Sequence, residues 1–168
     1  ENSCIDCGIT DYRIITADHR LGVDKVYNLS SYTWWASRGG IPAMDKEFRK
    51  VVPRCVTCHR IKTQEDSHVH NLRSTSSDKH YIRRRQIRRD LLEYVNSVKM
   101  NIGECYHCKR RVTPMSCTAF DFDHIDPSKK VKSISGMLRG SYHSIKKIDK
   151  EIDKCSLLCG ACHHLKTH

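Results

Sequence analysis

Four Cys-x-x-Cys pairs constrain this chain more tightly than anything else in it. They are Cys4/Cys7, Cys55/Cys58, Cys105/Cys108 and Cys159/Cys162, and of the ten cysteines only Cys117 and Cys155 fall outside them. Thiols grouped in this way suit metal ligation rather than a secreted disulfide framework, and an intracellular, reducing compartment follows. Two pairs supply four thiolates, the tetrahedral donor set of a closed structural zinc site. Two structural Zn2+ ions are therefore expected. Cys4, Cys7, Cys55 and Cys58 would hold one, and Cys105, Cys108, Cys159 and Cys162 the other. With 168 residues shared between the two groups, neither half is long enough to do without such a staple, which units below roughly 80 residues usually need. Cys117 and Cys155 read as small buried side chains or ordinary free thiols.

The chain repeats itself around these pairs. An offset of 105 residues places His19 on His124, Lys25-Val26 on Lys130-Val131 and Leu29-Ser30 on Ile134-Ser135. An offset of 104 places Lys50 on Lys154, Cys55 and Cys58 on Cys159 and Cys162, and His59, Lys62 and Thr63 on His163, Lys166 and Thr167. One deleted residue reconciles the two offsets, so the halves are an internal duplication. They differ near the Asp-His pair, where Thr16-Ala17-Asp18-His19-Arg20 stands in place of Asp121-Phe122-Asp123-His124-Ile125. Eleven positions separate Cys7 from Asp18, against fifteen between Cys108 and Asp123.

In the second copy, Phe120-Asp121-Phe122-Asp123 alternates apolar and acidic residues as a strand does, which puts Asp121 and Asp123 on one face. Thr10 to Thr16 reads as a strand in the first copy. Once the thiols are assigned, Asp123 and His163 are left beside the second zinc knuckle. A carboxylate and an imidazole suit a harder, catalytic divalent ion, while His124 is free to act as a base. Asp18, His59 and His19 offer the same roles in the first copy. The basic segment from His163 to His168 could form a short helix, with His164 and His168 on one face, at the surface or facing phosphate.

From about Gly103 to His168 the chain resembles the HNH nucleases of the ββα-metal type, in the subgroup that a zinc knuckle holds together. The pieces Cys105-x-x-Cys108, Phe122-Asp123-His124-Ile125-Asp126-Pro127, Lys154-Cys155-Ser156-Leu157-Leu158-Cys159 and Cys162-His163-x-x-Lys166-Thr167-His168 stand in that family's order. The resemblance implies an α+β chain of two tandem ββα-metal modules, each an antiparallel hairpin followed by a helix. It also implies one Mg2+ or Mn2+ per active module, held against a phosphate. The Asn that supplies the middle letter of the family name is missing, and Lys154 stands nine residues before His163. The expected function is hydrolysis of DNA phosphodiester bonds, with His124 and His19 as general bases and the second copy carrying the main activity. The alternative is a non-catalytic, zinc-stapled nucleic-acid-binding protein, for example a subunit of an RNA–protein assembly. A zinc scaffold that binds only proteins fits the charge poorly.

That charge is +11, from 30 Lys and Arg against 19 Asp and Glu, with a pI near 9.3. It is the electrostatic footprint of a nucleic-acid binder, here of double-stranded DNA. Residues 64–78 are polar and read as a linker, with Asp78 as a helix cap. Lys79 to Met100 carries Ile87, Leu91, Tyr94 or Val95, and Val98 at helical spacing, and Gly103 is a stop. Arg83, Arg84, Arg85, Arg88 and Arg89 crowd the first half of this helix and suit phosphate contact, as do Lys62 and Lys166. The expected organisation is a first module over 1–68, a linker and Arg-rich helix over 69–102, and a second module over 103–168. Such a chain would act as a monomeric pseudo-dimer rather than a homodimer. Trp34-Trp35 reads as core or lid packing within the long connection of the first copy. No apolar run approaches a membrane span, so no membrane partner is expected. The opening at Glu1 rather than Met points to a segment removed or not represented ahead of it.

Overall fold

A computed structural model of the chain describes residues 3–20, 22–24, 26, 29, 40–70, 78–139 and 144–167, without the side chains of 65–70. Trp34, Trp35, Gly39, Lys25, Ser30, His168 and residues 71–77 of the linker expected over 64–78 lie outside the described residues, while residues 64–70 of that linker are helical instead. The chain divides into two compact units, Glu1–His59 and Arg60–His168.

In the first unit, β1 (Ile15–His19) pairs antiparallel with β2 (Val51–Cys55). Helix α1 (Gly40–Phe48) lies between them in sequence, and α2 (Val56–His70) follows β2 directly. The strand starts later than Thr10–Thr16 suggests. The Asp11 carboxylate accepts the Arg13 N–H and winds Tyr12–Ile14 into a 3-10 turn before β1 begins, the local competition that Asp offers an extended backbone.

The second unit repeats the hairpin. β3 (Phe120–His124) pairs antiparallel with β4 (Cys155–Cys159), and α6 (Gly160–Thr167) follows without a break. Under the two sequence offsets the registers coincide. Ile15 faces Cys55 as Phe120 faces Cys159, and His19 faces Val51 as His124 faces Cys155. This register matters because a slip by one residue would carry Asp121 and Asp123 to the opposite face.

The second unit also has helices that build its core. α3 (Lys79–Ile102) starts where the Asp78 carboxylate accepts the His80 N–H, and it stops at Gly103, whose φ of 82° is the left-handed cap that glycine adopts without strain. Its Leu91 and Val95 pack with Ile134 and Met137 of α4 (Ile134–Arg139) and with Ile148 and Ile152 of α5 (Ile145–Ile152). The Arg-rich helix thus belongs to the core of the second unit, although its first half is polar enough to read as a connection. Lys99, one turn beyond Val95, is buried and donates to the carbonyls of Cys117 and Phe120. It thereby ties α3 to the entry of β3. Burial lowers the Lys99 pKa, chiefly by penalising its charge. The two leftover thiols donate to backbone carbonyls, Cys117 to Thr113 and Cys155 to Glu151. Among the described residues no helix is long and apolar enough to cross a membrane.

Candidate metal centres and active site

The eight paired thiols form two clusters, Cys4/Cys7/Cys55/Cys58 and Cys105/Cys108/Cys159/Cys162, with the sulfurs of each within 4.8 Å of one another. Cys7 and Cys55 stand 3.7 Å apart and Cys108 and Cys159 3.6 Å apart. Both gaps match the edge of a tetrahedron of thiolates about 2.3 Å from a central zinc, which is about 3.8 Å. No disulfide joins any of the ten cysteines. Each knuckle folds through a left-handed residue after its second cysteine, Gly8 in one and Lys109 in the other. Each also docks on its own sheet, Ile5 N–H donating to Pro53 and Tyr106 N–H to Leu157. Burial raises the Cys105 thiol, but the N–H groups of Cys108, Cys159 and His107 outweigh it and bring the pKa down to about 7. Burial, together with the neighbouring thiols of Cys108 and Cys159, pushes Cys162 up. Four sulfurs so close cannot all ionise without a cation among them, and each cluster can hold one structural metal ion such as zinc.

Beside the second cluster, β3 and α6 bring Asp121, Asp123 and His163 together. His163 Nδ1 lies 2.9 Å from Asp121 Oδ2, and Arg60 donates to the same oxygen. Burial raises the Asp121 carboxyl, but Arg60 and then His163 outweigh it and hold it below the usual carboxylate range. An ionised carboxylate can only accept, so Nδ1 of His163 carries the proton and Nε2 keeps its lone pair. That lone-pair nitrogen is 3.7 Å from Asp123 Oδ1. A carboxylate that orients an imidazole in this way is the usual support of a metal-binding histidine. Adjacent ligands of one octahedral ion stand about 3 Å apart, so Asp123 and His163 could hold one divalent ion after closing by several tenths of an ångström. Lys166 Nζ lies 2.5 Å from the other Asp123 oxygen. Asp121, Asp123 and His163 line a cleft of about 450 Å³, together with Arg60, Lys99 and His124. Among the described residues, only the two thiol clusters gather three or more ligand atoms.

His124, next to Asp123, is 5% exposed, and its Nε2 lies 2.7 Å from Oε1 of Glu151, which is 3% exposed. The same oxygen accepts the Val131 N–H, and Lys154 Nζ donates to Oε2 and to the carbonyl of Lys129. Burial raises the Glu151 carboxyl, but Lys154, the Val131 N–H, His124 and the Lys132 N–H outweigh it and hold the pKa down to about 2. Lys154 therefore braces the segment after β3 against the turn into β4.

The first copy repeats this brace closely. His19 Nε2 lies 2.9 Å from Glu47 Oε1, which accepts the Val26 N–H, and Lys50 donates to Glu47 Oε2 and to the carbonyl of Asp24. The metal face differs. Thr16 stands in the place of Asp121, with its hydroxyl 3.3 Å from His59 Nδ1. His59 Nε2 is 3.4 Å from Asp18 Oδ1, but the guanidinium of Arg54 sits on the other oxygen of Asp18 and on Asp6. Arg54 faces Thr16 across the sheet, where Leu158 faces Asp121.

On α3, Arg83, Arg84, Arg88 and Arg89 are exposed, while Arg85 is half-buried over the ring of Tyr81. Sequence reasoning missed Glu47, Glu151, Arg54, Lys99 and Arg60. The offset of 104 that matches Lys50 with Lys154 also matches Glu47 with Glu151, a signal that was available. Arg54 becomes informative only once the strand register is known. Compared with known proteins, the chain matches no family model, no curated protein and no solved structure.

Proposed function

We propose that the second unit is a one-metal phosphodiester hydrolase of the HNH type, acting on nucleic acid with DNA as the favoured substrate, and that zinc fills both thiol clusters. The observation that carries this reading is His163, whose Nδ1 is tied to Asp121 so that the Nε2 lone pair faces Asp123 beside a buried histidine. Mg2+ or Mn2+ bound by Asp123 and His163 would supply positive charge at the scissile phosphate and at the leaving oxygen. His124 takes the proton from the attacking water. Asp121 keeps His163 in its binding tautomer, and Lys166 donates to Asp123. The exposed arginines of α3 suit the phosphates of a bound strand. If Arg83, Arg84, Arg85, Arg88 and Arg89 all become Gln, the salt dependence of binding should flatten by up to about one unit of log–log slope per lost contact.

One observation favours a second reading, a nucleic-acid-binding protein without catalysis. Cations already sit on the acids, Arg54 on Asp18 and Lys166 on Asp123. Incubation of the zinc-loaded chain with supercoiled plasmid and Mg2+ or Mn2+ separates the two. Nicking or cutting by wild type, abolished in His124→Ala, supports the nuclease. Binding without cleavage of DNA or RNA under any divalent ion supports the binder.

A further inference from the structure

We infer that Glu151 is a positioning residue that fixes His124 in the tautomer with its proton on Nε2, leaving Nδ1 as the nitrogen that takes a proton. The inference deepens the hydrolase reading and rests on it only for the use to which Nδ1 is put. Oε1 of Glu151 receives the N–H groups of Val131 and, more distantly, Lys132, at 2.8 and 3.3 Å, and Oε2 receives Lys154 Nζ at 2.7 Å. Amide N–H and ammonium groups can only donate, so the carboxylate is needed throughout as an acceptor. His124 Nε2, at 2.7 Å from Oε1, must then be the donor. Neutral imidazole carries one proton, so Nδ1 is left with the free lone pair.

The duplication supplies an independent check. Glu47 binds His19 Nε2, the Val26 N–H and Lys50 in the same arrangement, although the metal faces of the two copies have diverged. The bracket therefore belongs to the histidine rather than to the ion. It also explains how a histidine can be buried beside a carboxylate and still serve as a base. Glu151 holds one nitrogen, and the residue still borders the cleft that contains Asp123 and His163. Glu151 touches none of the reacting atoms in this scheme. It acts through His124, as the buried carboxylate of a catalytic triad acts through its histidine.

Nitrogen-15 NMR of the histidine rings in the zinc-loaded full chain tests the assignment without reference to cleavage. The neutral His124 ring should show a protonated Nε2 and an unprotonated Nδ1. In Glu151→Gln, which keeps the side-chain length, the amide competes to donate. The Nε2-protonated form should then lose its dominance, and kcat should fall on the order of 10²-fold or more with KM unchanged. A proton on Nδ1 in the wild type overturns the inference, as does an unchanged tautomer in the variant. If Glu151→Gln does not fold, the wild-type ring spectrum alone decides. A wild type that has the expected tautomer and cleaves nothing overturns the hydrolase reading and leaves the tautomer assignment standing.

Discussion

In the second copy a carboxylate, Asp121, orients His163 toward Asp123; in the first, a neutral Thr16 stands there and an arginine covers Asp18. Around these faces the two copies keep the same hairpin register, the same four thiols and the same His-Glu-Lys bracket. The comparison shows which parts are scaffold and which are chemistry. Zinc knuckle, hairpin and bracket hold the histidines in place whatever the neighbouring face does. The difference on that face is one of charge. Asp121, itself paired with Arg60, adds an anion beside Asp123 and His163, whereas Arg54 bridges Asp18 and Asp6 in the first copy. A guanidinium bound to Asp18 satisfies the charge that a divalent ion would otherwise neutralise, so under the proposed function the first copy should bind such an ion more weakly than the second.

The largest expected effect addresses what the copies share. Cys159→Ser should reduce bound zinc from two ions per chain to one and unfold the second unit, because structural zinc contributes on the order of 10 kcal/mol to small domains of this kind. Cys55→Ser should do the same to the first unit, and two-dimensional NMR of each variant would show which strand signals vanish. Retention of the β3 and β4 signals in Cys159→Ser would break the symmetry claimed for the scaffold. Zinc uptake also displaces thiol protons, so its apparent affinity should fall as the pH falls. The raised Cys162 thiol contributes a full proton to that slope, and titration at two pH values would measure it.

Next in size is the division of labour. His124→Ala should lower the plasmid cleavage rate by on the order of 10²–10⁴-fold, the usual worth of a general base, whereas His19→Ala should leave that rate nearly unchanged. A greater loss in His19→Ala would reverse the assignment. The comparison can also be sharpened by gain of function. Thr16→Asp combined with Arg54→Leu gives the first copy the residues of the second, and a calorimetric Mn2+ titration should then find one more site than in wild type. An unchanged count would mean that charge on this face does not set metal affinity. A smaller effect belongs to the helix that braces only the second sheet. Lys99→Ala removes the ammonium that binds the carbonyls of Cys117 and Phe120, the first of which keeps the Phe120 N–H, and should cost about 1–3 kcal/mol, read as a lower denaturation midpoint of the second unit.

Much of this was legible in the sequence, for physical reasons. Thiol pairs advertise their partners by spacing alone, and a duplication shows itself as constant offsets, so the clusters, the hairpins and the placing of Asp123 with His163 could be read in advance. Glu151 could not be read as a buried anion, because three residues before Lys154 it looks like an ordinary surface pair on a helix. Only burial at 3% exposure and the donors that converge on it reveal its role. Lys99 was obscured in the same way, as a charged residue one turn from Val95 on an apolar stripe. Arg54 faces Thr16 through a register that no local pattern states, so the feature that separates the copies emerged last.

The central claim is that the second copy binds a catalytic divalent ion and the first does not. Paramagnetic broadening by Mn2+ tests it most directly, in the zinc-loaded chain with amide signals assigned. Substoichiometric Mn2+ should bleach the signals around Asp123 and His163, spare those around Asp18 and His59, and lose its effect in His163→Ala. Equal bleaching of both sites, or bleaching that survives His163→Ala, would contradict the account.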